Sequence, residues 1–164
     1  MNDVITLAHG SGGRQTSELI AEIFKKNLGN EFFTADDAAV LPRPDGKIAM
    51  STDGFIVSPW NYPGGNIGRL AICGTVNDIA CMGAKPLYIT CSYVIEEGFP
   101  ISDLELIVKT MGETAREAGV YIVAGDTKVA GKGQVDKIFI TTAGVGIIDG
   151  GVATSGRFAK PGDK

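Results

Sequence analysis

Residues 66–83 constrain the fold most. The run NIGRLAICGTVNDIACMG places apolar residues at Ile67, Leu70, Ala71, Ile72, Val76, Ile79, Ala80 and Met82. Wound as a helix, it has no broad polar face, and such a helix is buried on several sides. Other elements must therefore wrap it. One residue conflicts with that setting. Asp78 puts a carboxylate into an apolar helix, and a buried carboxylate needs a cation or several hydrogen-bond donors.

The rest of the chain supplies the wrapping. Residues 137–148 carry branched side chains on both alternating faces of a long strand, and residues 86–95 form another. Residues 102–118 keep the helical period through Leu104, Ile107, Val108, Met111, Ala115 and Ala118. Ser102 and Glu105 have capping-box spacing, and Gly119 closes the helix. A second amphipathic helix is expected over 18–28, with Leu19, Ile20, Ile23, Phe24 and Leu28 on one face. Residues 32–41 and 47–57 read as strands around the turn Pro42-Arg43-Pro44-Asp45-Gly46, and 121–124 as a short one. Strands and helices interleave without strict βαβ order. The expected class is α+β, a mixed sheet with helices packed on one face.

A chain of 164 residues suffices for one domain, expected over 1–150. Residues 151–164 turn polar and glycine-rich, as at the start of a linker. The net charge of −4 and the lack of a dense Lys/Arg run argue against a nucleic-acid partner. An anionic ligand would instead need metal ions between itself and the protein. Cys73, Cys81 and Cys91 are odd in number and lack C-x-x-C spacing, so they read as core residues rather than a disulfide framework or zinc site. No basic segment with an apolar run opens the chain, and the apolar run 138–148 is too short to span a bilayer. A cytoplasmic protein without a membrane partner is expected.

Chemistry is signalled in two places. The stretch LAHGSGGRQT brings Gly10, Ser11, Gly12 and Gly13 just ahead of a helical pattern, as in a phosphate-binding loop, but without the P-loop lysine. Few apolar residues precede it, so the first 13 or so residues are expected to be loosely held without nucleotide. The second signal is a set of aspartates beside small or turn-forming residues: Asp36-Asp37, Asp53-Gly54, Asn77-Asp78 and Gly125-Asp126. Singly, each reads more naturally as a turn or cap. Together they suit Mg²⁺, which takes a few carboxylates and completes its octahedron with water and phosphate. Metal held there could supply the charge the glycine loop lacks. Lys128 follows Asp126 by two positions, so on a strand both point the same way; it can touch a phosphate, act as a base, or be a surface lysine. His9 is the only histidine, and the lack of a G-x-S-x-G motif argues against a Ser-His-Asp hydrolase.

The segments HGSGG (9–13), DDAAV (36–40), STDGFIVSP (51–59), GTVNDIACMGAKP (74–86) and AGDTKV (124–129) occur in this order. Together they resemble the N-terminal domain of the HypE family of hydrogenase maturation factors, the carbamoyl dehydratases. That family lies in the ATP-using superfamily of aminoimidazole ribonucleotide synthetase, selenophosphate synthetase and thiamine-monophosphate kinase. The resemblance implies an ATP-binding α+β domain whose sheets pair into a barrel across a homodimer. It implies ATP contacts from Gly10, Ser11, Gly12, Gly13, Thr52, Asn77, Gly125 and Thr127. It implies Mg²⁺ ligands at Asp37, Asp53 and Asp78, with Asp126 as a fourth; Lys128, from its spacing to Asp126, is the catalytic candidate. In that family ATP drives dehydration of an S-carbamoylated C-terminal cysteine to a thiocyanate. A HypF-type carbamoyltransferase supplies the carbamoyl group, and a HypC–HypD scaffold takes the cyanide toward the [NiFe] hydrogenase iron. The chain departs from the pattern because its last cysteine is Cys91. The reacting cysteine and second domain are therefore expected beyond a junction at residues 161–164. Thiamine-phosphate kinase or ribonucleotide synthetase chemistry, and a non-catalytic dimerisation and docking role, remain the alternatives. No cysteine precedes the glycine loop, which disfavours selenophosphate synthesis.

Overall fold

The computed structural model describes residues 3–34, 36–150 and 154–163. Its main sheet has strands β1 (Lys47–Phe55), β4 (Lys85–Glu96), β5 (Tyr121–Ala130) and β6 (Ile138–Ile148) in the order β1-β6-β4-β5. A small hairpin joins β2 (Asn61–Tyr62) to β3 (Gly65–Asn66). β4 and β5 are parallel, and the other neighbours in the main sheet are antiparallel. The helices are α1 (Arg14–Leu19), α2 (Lys26–Leu28), α3 (Ile67–Cys81) and α4 (Ile101–Ala118). A π-helical turn, Ile20–Lys25, joins α1 to α2. The parallel pair follows from the chain order, since α4 is the crossover between β4 and β5.

The helices cover one sheet face, as expected for the α+β class. Ile89, Cys91, Tyr93 and Ile95 of β4 and Ile138 and Ile140 of β6 are buried there. They pack in one core with Ile67, Ala71 and Ile72 of α3, Leu104, Ile107 and Met111 of α4, and Leu19, Ile23 and Phe24 of the first helical run. The Tyr93 ring lies 5.0 Å from that of Phe24, and its hydroxyl donates to Met111 Sδ at 3.5 Å. Strand alternation leaves the opposite face open, where Ile48 and Met50 are 62% and 72% exposed.

Several expectations need correction. Among the described residues, 32–41 contains no strand. Asp36, Asp37 and Ala38 are exposed, and β1 pairs only with β6, so this segment does not extend the sheet at the free edge of β1. Its two aspartates and flanking prolines also disfavour a strand. β5 is longer than expected because parallel pairing with β4 continues to Ala130. α4 has no capping box: Pro100 is the N-cap, and Glu105 instead bonds Lys26 at 2.7 Å. The N-terminal segment is anchored, contrary to the premise of a loose start. Ile5 is fully buried, its N–H donates to Phe99 O and its carbonyl accepts from Gly98 N, both at 2.8 Å. Residues 151–153 of the expected linker lie outside the described residues. Beyond them, Thr154 Oγ1 donates to the Cys81 carbonyl at 2.7 Å, tying the tail to the end of α3.

Candidate functional site

The glycine loop leads into α1, and two of its glycines answer to geometry. A Cβ on Gly10 would sit 2.8 Å from the Val129 backbone nitrogen, so the loop lies directly against β5. Gly12 has φ +80°, in the left-handed region that favours glycine. The loop is tied internally. Ser11 Oγ donates to Ala8 O at 3.0 Å, and Gly12 N donates to Thr16 Oγ1 at 3.0 Å.

Between this loop, the first helical run and β5 lies a cleft of about 600 Å³. Gly10, Gly12, Asp37, Gly125, Asp126, Thr127 and Lys128 border it, together with Asp36. Its floor includes Cys91 and Tyr93. In the parallel register Gly125 and Thr127 pair with Cys91 and Tyr93, while Asp126 and Lys128 alternate with them, opposite Ser92 and Val94. The expected same-face pairing of Asp126 and Lys128 is present: Lys128 Nζ donates to Asp126 Oδ1 at 3.0 Å. Both side chains are more than half exposed, so this contact alone adds little stability. Burial pushes the Cys91 thiol up to about 12, with the Tyr93 hydroxyl opposing the rise. It is therefore held neutral and is not a nucleophile here.

The other residues singled out in the sequence lie elsewhere, on β1 and α3. Thr52 Oγ1 donates to Thr142 O at 2.9 Å. Asp53 points toward Gly74 of α3, and Asp78 Oδ2 accepts from Ser51 Oγ at 2.8 Å. Asn77 and Asp78 are exposed, which corrects the reading of Asp78 as a buried carboxylate. α3 packs through Ile67, Ala71, Ile72, Thr75 and Ile79, and the turn that carries Asn77 and Asp78 faces outward. β1 and β5 are opposite edges of the sheet, so the two groups of aspartates do not converge. Among the described residues, no three acidic, histidine or cysteine side chains come close enough to hold a metal. Ser11 and Gly13 flank the cleft without bordering it. His9 is buried, and its Nδ1 accepts from Thr6 N at 3.0 Å, a structural position.

Sequence reasoning misses Thr16 and Lys25, which also border the cleft. Both lie on the helical run after the glycines, where an i, i+4 search from the loop reaches Thr16 but not Lys25. With Lys25 and Lys128, the cleft has two lysines where a P-loop has its own.

This arrangement of sheet and helices, with a glycine loop against an edge strand, matches a known class. The profile of the AIR synthase related protein, N-terminal domain, matches residues 35–148, and the chain belongs to that family. Within it the chain is similar to carbamoyl dehydratase HypE of Bradyrhizobium diazoefficiens, 49% identical over 99% of this chain and 47% of the relative. A crystal structure of HypE in complex with ATP superposes with a TM-score of 0.91 at 48% identity, covering 95% of this chain and 47% of that one. A HypE–HypF complex gives a TM-score of 0.69 at 54% identity, over 88% of this chain and 47% of that one. The chain thus spans about half the length of the relatives it matches. No described helix is long and apolar enough to cross a membrane.

Proposed function

We propose that this chain is the ATP- and Mg²⁺-binding half of a HypE-like carbamoyl dehydratase acting in the cytoplasm. The observation that carries the reading is the shared cleft: Gly10, Gly12, Thr127 and Lys128 border one space of about 600 Å³. That volume suits a nucleotide-sized ligand. Its similarity to HypE solved with ATP supports the same reading.

In this reading the glycine loop and Thr127 hold the phosphates, aided by Ser11, Gly13 and Gly125. Thr52 and Asn77 lie on β1 and α3, away from this cleft, so they would contact a nucleotide held there only from a second copy of the chain. Lys128 faces the reacting group, balances phosphate charge and moves a proton. Asp126, bonded to it, fixes its position. The described residues form no preformed metal cage, but Mg²⁺ needs only one or two carboxylates besides phosphates and water. Asp37 and Asp126 at the cleft, and Asp53 and Asp78 across the sheet, are the donors available. When bound, Mg²⁺ would neutralise phosphate charge. The net reaction removes the elements of water from an S-carbamoylated cysteine outside this chain, driven by ATP cleavage, and leaves a thiocyanate. A HypF-type carbamoyltransferase would load the cysteine and a HypC–HypD scaffold would receive the cyanide. The known HypE–HypF complex is in keeping with the first partner.

Calorimetric titration of ATP into the chain tests the nucleotide reading. Binding is expected with Mg²⁺, and weaker binding without it or in Lys128→Ala. Absence of binding at millimolar Mg²⁺–ATP would leave only the docking alternative. Phosphorylation of thiamine monophosphate by the protein would transfer the reading to a kinase.

A further inference from the structure

We infer that Thr6 is a positioning residue: it clasps the chain on both sides of the glycine loop and so sets the loop's fit to a polyphosphate. The inference rests on the nucleotide reading above. Thr6 N–H donates to His9 Nδ1 at 3.0 Å, and Thr6 Oγ1 lies 3.0 Å from the same nitrogen. Thr6 Oγ1 also donates to Gln15 Oε1 at 3.2 Å. His9 immediately precedes the glycines, and Gln15 is the second residue of α1 beyond them. One residue thus joins both flanks of the loop.

The clasp has a firm base. Thr6 follows Ile5, which is fully buried and held between Phe99 and Gly98 by backbone hydrogen bonds. His9 is 3% exposed, so its ring has little room to turn. Its Nδ1 accepts a hydrogen bond from the backbone, which places the ring's own proton on Nε2. None of Thr6, His9 and Gln15 borders the cleft. Their influence passes through the backbone of residues 10–13. Glycines lose much entropy when ordered, and fixing both loop ends beforehand lowers that cost on binding.

Thr6→Val keeps the shape of the side chain and the backbone bond to His9 but deletes the hydroxyl. The experiment measures ATP and adenosine affinity by calorimetry, and the melting temperature, in the full chain. Loss of about one hydrogen bond's worth of positioning predicts roughly five-fold weaker ATP binding. Adenosine affinity is expected to stay unchanged, because adenosine lacks the phosphates that the loop meets. Thr6→Ser restores the hydroxyl and is expected to restore ATP affinity. Gln15→Met cuts the second link from the helix side and serves if Thr6→Val does not fold; it too is expected to weaken ATP selectively. Equal loss for ATP and adenosine, unchanged ATP affinity, or no recovery in Thr6→Ser would overturn the inference. A wild-type chain that binds no ATP overturns the nucleotide reading, and this inference with it.

Discussion

At the residue scale, Asp78 and Cys91 show how burial decides chemistry. Asp78 is exposed and has one hydrogen bond, from Ser51 Oγ at 2.8 Å. Asp78→Asn is therefore expected to change stability by about 0.5–1 kcal/mol at most. As a Mg²⁺ ligand its loss should weaken Mg²⁺–ATP binding at least about ten-fold, the scale seen when a group supporting a metal site is removed. Melting and ATP titration on the same variant test this. A much lower melting temperature with unchanged affinity would remove Asp78 from the metal site. Cys91 carries the opposite lesson. Burial raises its thiol from 9.0 to about 12, so the folded state holds a proton that the unfolded state releases sooner. Stability from this group is complete below about pH 9 and falls as pH rises toward 12. Urea unfolding of wild type and Cys91→Ala between pH 8 and 11 should show the shallower pH dependence in the variant. Parallel curves would mean that Cys91 does not titrate with unfolding.

At the element scale, α4 separates a sequence motif from the contact it suggests. Ser102 and Glu105 have capping-box spacing, yet Glu105 reaches across to Lys26 and the helix begins at Ile101 after Pro100. Ser102→Ala is accordingly expected to cost well under the ~1 kcal/mol of a lost cap. Chemical denaturation measures it, and a loss of a full kcal/mol or more would restore the cap. α4 itself, α3 and β6 are legible in the sequence because apolar periodicity and end signals such as Gly119, which adopts φ +69°, are local. That the described residues of 32–41 form no strand is not legible, because strand formation depends on pairing with a neighbour that the local sequence does not show. The full length of β5 is hidden for the same reason: its second half is a strand only because β4 lies beside it. In the site, the loop and the Asp126–Lys128 pair can be read from spacing. The depth of Asp78 cannot, since periodicity shows that a helix is apolar but not which turn its neighbours leave uncovered. Lys25 is invisible in the sequence because it joins the cleft only through the packing of the first helical run.

At the scale of the whole molecule, the open sheet face is the main unsatisfied feature. Helices cover the face of Ile138, Ile140 and Thr142, while Phe139, Val145 and Ile147 of β6 stay only partly covered. β1 adds Ile48 and Met50, both well exposed, so the apolar area runs across two adjacent strands. A contiguous apolar face of this kind marks an interaction surface. The same face meeting its own copy is the arrangement that closed two-fold symmetry favours. Homodimerisation through β6 and its neighbours is therefore expected, with the two sheets facing each other. Met50→Lys places a charge on the exposed side of β1 within that apolar area, where Met50 is 72% exposed and the folded monomer has little packing to lose. The variant is expected to sediment as a monomer at micromolar concentration with an unchanged circular dichroism spectrum, while wild type sediments as a dimer. A wild-type chain that is a clean monomer at the same concentration would defeat the proposal. A Met50→Lys variant that remains dimeric would move the interface off this face. Because Thr52 alternates onto the same face as Ile48 and Met50, a dimer formed here would bring it close to the partner sheet, whereas Asp53 points to the helix side. Nucleotide affinity measured on the monomeric variant then shows whether the β1 residues need the second copy to act.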